Sequence, residues 1–314
     1  MHRLSGRPAI GIAVSHVESL VGPKCERLLE LARAVDEAGA DQIALSEHVT
    51  LARVITGHPG KGPGTFPFPG DEQYPEPLVT LAAMAAVTSH ARLSTNILIA
   101  PLRPAVLLAK QAATLDCLCN GRLDLGVGTG WHAEEYAAVG VSMTRLASRL
   151  DDTLRACREL WRNQPASFTS ETVTFTDMYC SPSPVHGDIP LWIGGGVNNA
   201  VARRVVELGA GWTPMGGNDT DEVSAARALL DETCAAAGRD PATVGIRVSL
   251  APPPAGGGAD RTTVMVDRIT ELVTAGATVI QLPLPQLVER VDDAREVVGS
   301  IIAAVDARFG QPVA

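Results

Sequence analysis

The feature that most constrains the fold is a unit of sequence that keeps returning. A helical run ends at glycine, a turn follows, and a short apolar or β-branched run comes next. It occurs as DEAGADQIALS (36–46), CNGRLDLGVG (119–128), ELGAGWTPM (207–215) and TAGATVIQLPL (274–284). Glycine just past a helix end adopts the left-handed conformation without a steric cost. The run after it is too short and too apolar for a surface helix. It reads as a strand buried on both faces, which is the mark of a parallel sheet.

Extended along the chain, this rhythm predicts strands at 8–14, 41–46, 93–99, 122–127, 190–194, 211–214, 243–249 and 277–282. Helices are expected near 23–38, 76–89, 104–119, 144–163, 198–208, 220–237, 262–275 and 285–308. Their apolar residues fall at helical spacing, for example Leu28, Leu31, Ala32 and Val35, or Leu108, Ala112, Leu115 and Cys119. Pro23 suits a first helical turn and Asn198 an N-cap. Eight β/α units in 314 residues predict an α/β fold, a closed (β/α)8 TIM barrel, in one domain over 1–314. A doubly wound sheet would need a glycine-rich dinucleotide loop after its first strand, where this chain has Ser15-His16-Val17-Glu18. Two segments interrupt the rhythm and read as insertions after strands 2 and 4. They are 51–75, with GHPGKGPGTFPFPG, and 164–189, with TSETVTFTDMYCSPSP, which reads as a hairpin or extended excursion. The first follows a strand end and is expected over the C-terminal mouth.

Composition narrows the function. Twenty-six basic against 35 acidic residues give a net charge of −9, which argues against a nucleic-acid-binding surface. There is no apolar stretch of membrane-spanning length and no signal-peptide plan at Met1 to Arg7, so no membrane partner and a cytoplasmic protein are expected. The six cysteines lack C-x-x-C spacing, and Cys117 and Cys119 diverge on a helix. They are expected to be buried, reduced thiols. Neither H-x-H nor H-E-x-x-H occurs, so no metal site is expected. Of the basic residues only Lys24, Lys61 and Lys110 are lysine, and none sits where a Schiff base would be desolvated.

In a barrel the strand ends meet at one mouth. Here they offer Ser46-Glu47-His48, Asn96-Ile97, Gly128-Thr129-Gly130-Trp131, Gly194-Gly195-Gly196 and Thr213-Pro214-Met215-Gly216-Gly217. His48 is the titratable candidate, suited to proton transfer near neutral pH. Glu47 precedes it on the other strand face, so the two are not expected to pair. Gly194–Gly196 run into the helix at Asn198, where bare backbone and a helix dipole suit a phosphate, or form no more than a tight turn. Gly216-Gly217 is the fallback phosphate site. A glycine-flanked Thr129 can offer N–H and hydroxyl to a flat polar ligand, or simply cap a turn.

At these residues the chain resembles the bacterial luciferase-like monooxygenase superfamily. The resemblance rests on NILIAPLRPAVLLAKQAATLDCLCNGRLDLGVGTGWHAEE (96–135), EYAAVGVSMTRLASRLDDTLRACRELW (135–161), SPSPVHGDIPLWIGGG (181–196) and ELGAGWTPM (207–215), and runs from about 8 to 285. Within the superfamily, GVGTGW with PLWIGGG looks most like the coenzyme-F420-dependent oxidoreductases of actinobacteria. The resemblance implies a flavin or deazaflavin at the barrel mouth and a strand-3 bulge, often with a non-proline cis peptide, at Asn96-Ile97. It implies cofactor contacts at Gly128, Thr129 and Gly130, a phosphate site at Gly194, Gly195 and Gly196 with Thr213 or Met215 nearby, and His48 beside the ring. It also implies a homodimer. One departure stands out. Where the F420-dependent sugar-phosphate dehydrogenases carry a glutamate proton donor, this chain has Trp131, which reads as a wall residue of an apolar pocket. Glu134 and Glu135 lie a turn further on, away from the ring. Three functions follow: hydride transfer between F420 and a small organic substrate, an FMN-dependent monooxygenase fed by a separate reductase, and a barrel that binds flavin or deazaflavin without turnover. A basic exit groove, with Arg53 and Arg103 as candidates, favours the first because the F420 tail is anionic.

Overall fold

In the computed structural model, residues 6–53, 55, 71–215, 219–253 and 260–311 are described. Eight parallel strands, β1 (Ala9–Ala13), β2 (Gln42–Leu45), β3 (Arg92–Thr95, resumed at Leu98–Ile99), β4 (Leu123–Gly128), β5 (Leu191–Gly194), β6 (Gly211–Thr213), β7 (Gly245–Ser249) and β8 (Val279–Pro283), pair in sequence order. β8 returns to β1 with Val279 opposite Ala9, which closes the barrel. The helices α1 (Leu28–Glu37), α2 (Pro77–Ala85), α3 (Ala105–Leu118), α4 (Leu146–Arg162), α5 (Asn199–Leu208), α6 (Thr220–Ala236), α7 (Arg261–Thr274) and α8 (Ala294–Phe309) follow the strands in turn. All eight expected strands are present, and the expected (β/α)8 fold is the observed one.

The terminating glycines act as expected at 39, 121 and 276, where φ is +88°, +77° and +113°. Gly209 differs: its backbone is extended, with φ −93° and ψ 157°. Glycine is needed there for space, since a Cβ would lie 3.0 Å from the Val205 carbonyl oxygen. Two helix starts and one additional helix also depart from the reading. α1 starts at Leu28, because a short helix over Glu18–Val21 and a turn with Cys25 at φ +57° precede it, and Pro23 lies in that turn. α8 starts at Ala294, after 3-10 turns at Leu284–Gln286 and Val291–Asp293. A short helix at Ala133–Val139 was not expected. The 164–189 excursion contains an antiparallel hairpin of Ala166–Thr169 with Thr174–Met178, inserted between α4 and β5. Most of the 51–75 insertion (54 and 56–70), with Lys61, and the Gly216-Gly217 pair lie outside the described residues. All six cysteines are free thiols; Cys119, Cys157, Cys180 and Cys234 are buried as expected, but Cys117 is exposed and Cys25 half-buried. Among the described residues no helix is long and apolar enough to cross a membrane.

The strands alternate between two kinds of surface. Ile10, Ile12, Ile43, Leu45, Leu93, Leu125, Val127, Ile193, Ile246, Val248, Ile280 and Leu282 are buried on the outer face, as period-two side chains must be if the alternate residues point inward. A TIM-barrel interior is ordinarily packed with branched apolar side chains. This one is packed with glycine, amides and charges. Gln281 Nε2 donates to Gln42 Oε1 at 3.1 Å, and Gln42 Nε2 to Asp124 Oδ2 at 2.8 Å. Arg92 grips both Asp124 oxygens, at 3.0 and 2.8 Å. Asn96 donates to Gln281 and accepts from Thr213 Oγ1 at 3.1 Å. Apart from Arg92–Asp124, which joins the neighbouring strands β3 and β4, each link spans at least one intervening strand, so the network ties the barrel together from within. The Trp192 ring fills the space that glycine leaves: a Cβ on Gly211 would sit 2.4 Å from it and one on Gly245 2.6 Å.

Candidate active site

β2 delivers Glu47 and His48 to the C-terminal mouth, and period two sends them opposite ways. Glu47 is buried, accepts the Ile99 N–H at 2.6 Å and pairs with Arg103. Arg103 also reaches Glu76 at 2.6 Å. The pair fastens β2 to the chain that follows the strand-3 bulge. It also means that Arg103, expected at a basic exit groove, is committed to two carboxylates. Arg53 is exposed.

His48 meets a partner that the sequence reading did not assign to it. Glu135, on the short helix Ala133–Val139, is fully buried and accepts from His48 Nδ1 at 3.1 Å. The same carboxylate takes the Val49 N–H at 2.5 Å and the Thr50 N–H at 3.4 Å. A buried carboxylate needs such donors to offset lost hydration. They fix Glu135, and Glu135 in turn fixes the His48 ring with Nδ1 as donor and Nε2 on the far side. The next imidazole along is held the opposite way: His132 Nε2 accepts the Ala52 N–H at 3.1 Å, and Nδ1 lies 3.1 Å from Glu134. Accepting at Nε2 requires neutral His132, so its Nδ1 donates to Glu134.

Aromatic edges surround His48. Tyr74 lies edge-on with ring centres 5.0 Å apart, and Trp131 likewise at 5.6 Å. His16, whose Nδ1 is 3.0 Å from Glu72, stands edge-on to Tyr74 at 5.1 Å. Burial lowers the His16 pKa, although Glu72 opposes the shift, and burial with Glu72 and Glu135 raises that of the Tyr74 phenol. Both rings are thus uncharged near neutral pH. Trp131 is half-buried beside His48, and its indole N–H is too weak an acid to serve as a proton donor. His48, Tyr74, Leu102 and Val139, together with the Arg103–Glu47 pair and Glu76, line a cavity of about 250 Å³; Trp131 stands beside His48 but is not part of this lining. At ~30 Å³ per water molecule, that volume suits a small organic molecule.

The floor of the mouth is the strand-3 bulge. The Asn96-Ile97 peptide is cis, at the position the resemblance implied. Ile97 packs over the ends of β4 and β5: a Cβ on Gly128 would come within 3.0 Å of its Cδ1, and one on Gly194 within 2.9 Å of its Cγ2. Gly128 and Gly194 therefore serve first to seat Ile97. Gly130 has φ +65°, and the Thr129 carbonyl accepts from the Tyr136 hydroxyl. Met215 is exposed at the end of β6.

Gly195 and Gly196 behave differently. A Cβ on either would meet nothing within 4 Å, so bare backbone faces open space there. The turn is held from behind, as Trp212 Nε1 donates to the Gly195 carbonyl at 2.7 Å. The Gly195 N–H donates to the Thr213 carbonyl at 3.2 Å, which corrects the expectation that it is available to a ligand. Asn198 caps α5 by accepting from Ala200 and Val201. Among the described residues the N–H groups of Gly196, Val197 and Asn199 have no acceptor. A helix N-terminus with unspent donors beside a bare turn fits a phosphate. Gly196→Val places a branched side chain in that space without a positive φ to strain. Affinity for a phosphate-bearing cofactor is expected to fall at least ~10²-fold (RT ln 100 is ~2.7 kcal/mol) with no change in melting temperature. Titration beside a thermal melt checks this, and unchanged affinity would reduce the turn to a connector.

A barrel whose strand ends gather a carboxylate-held imidazole, aromatic rings and an open glycine turn has the layout of a TIM barrel with a site at its C-terminal face. The chain belongs to the luciferase-like monooxygenase family, whose model matches residues 10–257. It is 33% identical over 215 residues to the uncharacterized protein Rv0953c of Mycobacterium tuberculosis, covering 67% of this chain and 74% of that one. It is 29% identical over 239 residues to the F420-dependent glucose-6-phosphate dehydrogenase of Kineococcus radiotolerans, covering 73% and 65%. Among solved structures, the monooxygenase RslO1 from Streptomyces bottropensis superposes with a TM-score of 0.76 at 19% identity over 96% of this chain and 98% of that one.

Proposed function

We propose that the protein is an F420-dependent oxidoreductase that moves a hydride between the deazaflavin and a small, largely apolar alcohol or carbonyl compound. The observation that carries this reading is the His48–Glu135 pair, with His48 and Tyr74 lining a cavity at the end of β2. Support also comes from the family and from the relative named as F420-dependent. When bound, the deazaflavin supplies the hydride acceptor or donor.

The chain's residues supply the rest. Gly196 and the first turn of α5 hold the phosphate, and Ile97, seated by Gly128 and Gly194, backs the ring. Trp131 and Tyr74 exclude water and hold the apolar part of the substrate. In the oxidising direction the substrate loses a hydride from carbon and a proton from oxygen, and His48 takes the proton. In the reducing direction His48 gives it back. Glu135 keeps Nδ1 as the donor side of the ring and stabilises the imidazolium that forms. Trp131 stands where the sugar-phosphate enzymes have a glutamate, so the proton donor here is His48, and a sugar phosphate is the poorer fit to an apolar wall. The test follows the F420 absorbance band on mixing the protein with F420 and a panel of short secondary alcohols. Bleaching with wild type, lost in His48→Gln, supports the reading. A cofactor that binds and never changes its spectrum with any alcohol, ketone or enone favours the non-catalytic alternative.

A further inference from the structure

Arg247 lies on the inner face of β7 and is 0% exposed. Its Nη1 donates to the Thr95 carbonyl at 3.2 Å, and its guanidinium stacks 4.3 Å over the Trp192 ring. Its Nε and Nη2 are buried without an acceptor. Among the described residues it has no ion pair. Asp124, whose charge it feels, is already spent on Arg92 and Gln42. Burial pulls the Arg247 pKa down to about 10; Asp124 opposes the shift and Arg92 adds to it. The group therefore stays protonated at neutral pH. An unmatched charge in a dry interior is costly to keep. Its field also carries further there than in water, because little solvent screens it.

That field emerges at a particular place. The carbonyl held by Arg247 belongs to Thr95, which leads directly into the Asn96-Ile97 floor. The packing there is close: a Cβ on Gly126 would lie 2.0 Å from the Thr95 oxygen and 3.3 Å from Arg247 Nη1.

We propose that Arg247 is a positioning residue beneath the cofactor floor, a fixed positive charge that favours the reduced ring over the oxidised one. This rests on the cofactor reading above. A hydride brings two electrons and one proton, so the accepting ring carries one further negative charge until a second proton follows. Arg247 neither touches the ring nor exchanges a proton. It acts through the Thr95 carbonyl and through its field.

The test is titration of wild type, Arg247→Met, Arg247→Gln and Arg247→Lys with F420 in its oxidised form and with F420 reduced beforehand, under anaerobic conditions. The readout is the ratio of the two dissociation constants. With Met the preference for the reduced form is expected to fall about tenfold, which for a two-electron couple is ~30 mV. With Lys the ratio stays within about twofold of wild type. Gln keeps a donor for Thr95 without the charge, so its ratio falls with that of Met; it also decides the matter if the Met variant does not fold. The Met variant is expected to melt no lower than wild type, because the unmatched charge is gone. A ratio unchanged in Met or Gln, or lost equally in Lys, overturns the proposal and leaves the cofactor reading standing. Wild type that binds neither form overturns both.

Discussion

His48→Gln is expected to lower turnover by about 10²–10⁴-fold, the usual worth of a positioned acid–base group, while F420 binds as in wild type. Glutamine is the informative replacement. His48 is nearly buried, with a side-chain exposure of 10% against 0% for Glu135, so alanine would strand a buried carboxylate and confuse chemistry with folding. A glutamine amide can still donate to Glu135 but cannot carry a proton between substrate and solvent. Glu135→Gln tests the other half of the pair. It keeps the shape and removes the charge that orients and stabilises the imidazolium, so kcat falls while the cofactor dissociation constant holds. Stopped-flow measurement of the F420 band at saturating substrate checks both. If either variant keeps wild-type kcat, the pair is structural and the proton donor must be sought elsewhere.

Gly126→Ala is expected to destabilise the barrel by about 3 kcal/mol or more, the upper range for overpacking a core. The reason is a single close approach. The alanine Cβ would lie 2.0 Å from the Thr95 carbonyl oxygen, a backbone atom that cannot swing aside as a side chain would. Thr95 is pinned there from two directions. Its Oγ1 donates to the Gly126 carbonyl at 2.6 Å, and its own carbonyl accepts from Arg247. Making room therefore means moving the strand-3 bulge, on which the proposed cofactor site rests. At ~2–4 °C per kcal/mol for a chain of this order of size, the melting temperature should drop by roughly 6 °C or more. The cofactor should bind more weakly even below the melt. An unchanged melt would mean that β3 and β4 do not approach as described.

The barrel was legible because its punctuation is local. A helix that ends at glycine and a short apolar run after it are read from neighbouring residues, and eight such runs leave few topologies open. The open turn before α5 was legible for the same reason, since Gly195-Gly196 before the Asn198 cap is a contiguous signal. Glu135 was not. Its partner is 87 residues away in sequence, and the short helix that turns it inward, Ala133–Val139, has too few residues to show a period. The polar interior was half legible. Gln42, Asp124, Arg247 and Gln281 each stand inside a strand read as buried on both faces, where a charge or amide has to find a partner inside the barrel. Alternation along DQIAL, LDLGVG, GIRVS and VIQLPL marks the inward face. Which residues bond to which depends on closure of the barrel, and closure is not written in any one segment. Arg103 shows the converse: a basic residue near the mouth looked available for an anionic tail, and only the fold shows it held by Glu47 and Glu76.

A side-by-side titration of the purified protein with F420 and with FMN, read by fluorescence, tests the F420 assignment most directly. F420 is expected to bind at least about tenfold more tightly than FMN, a difference of ~1.4 kcal/mol, and Gly196→Val should weaken both. Tighter binding of FMN would contradict that assignment and favour a flavin-dependent monooxygenase of the same family.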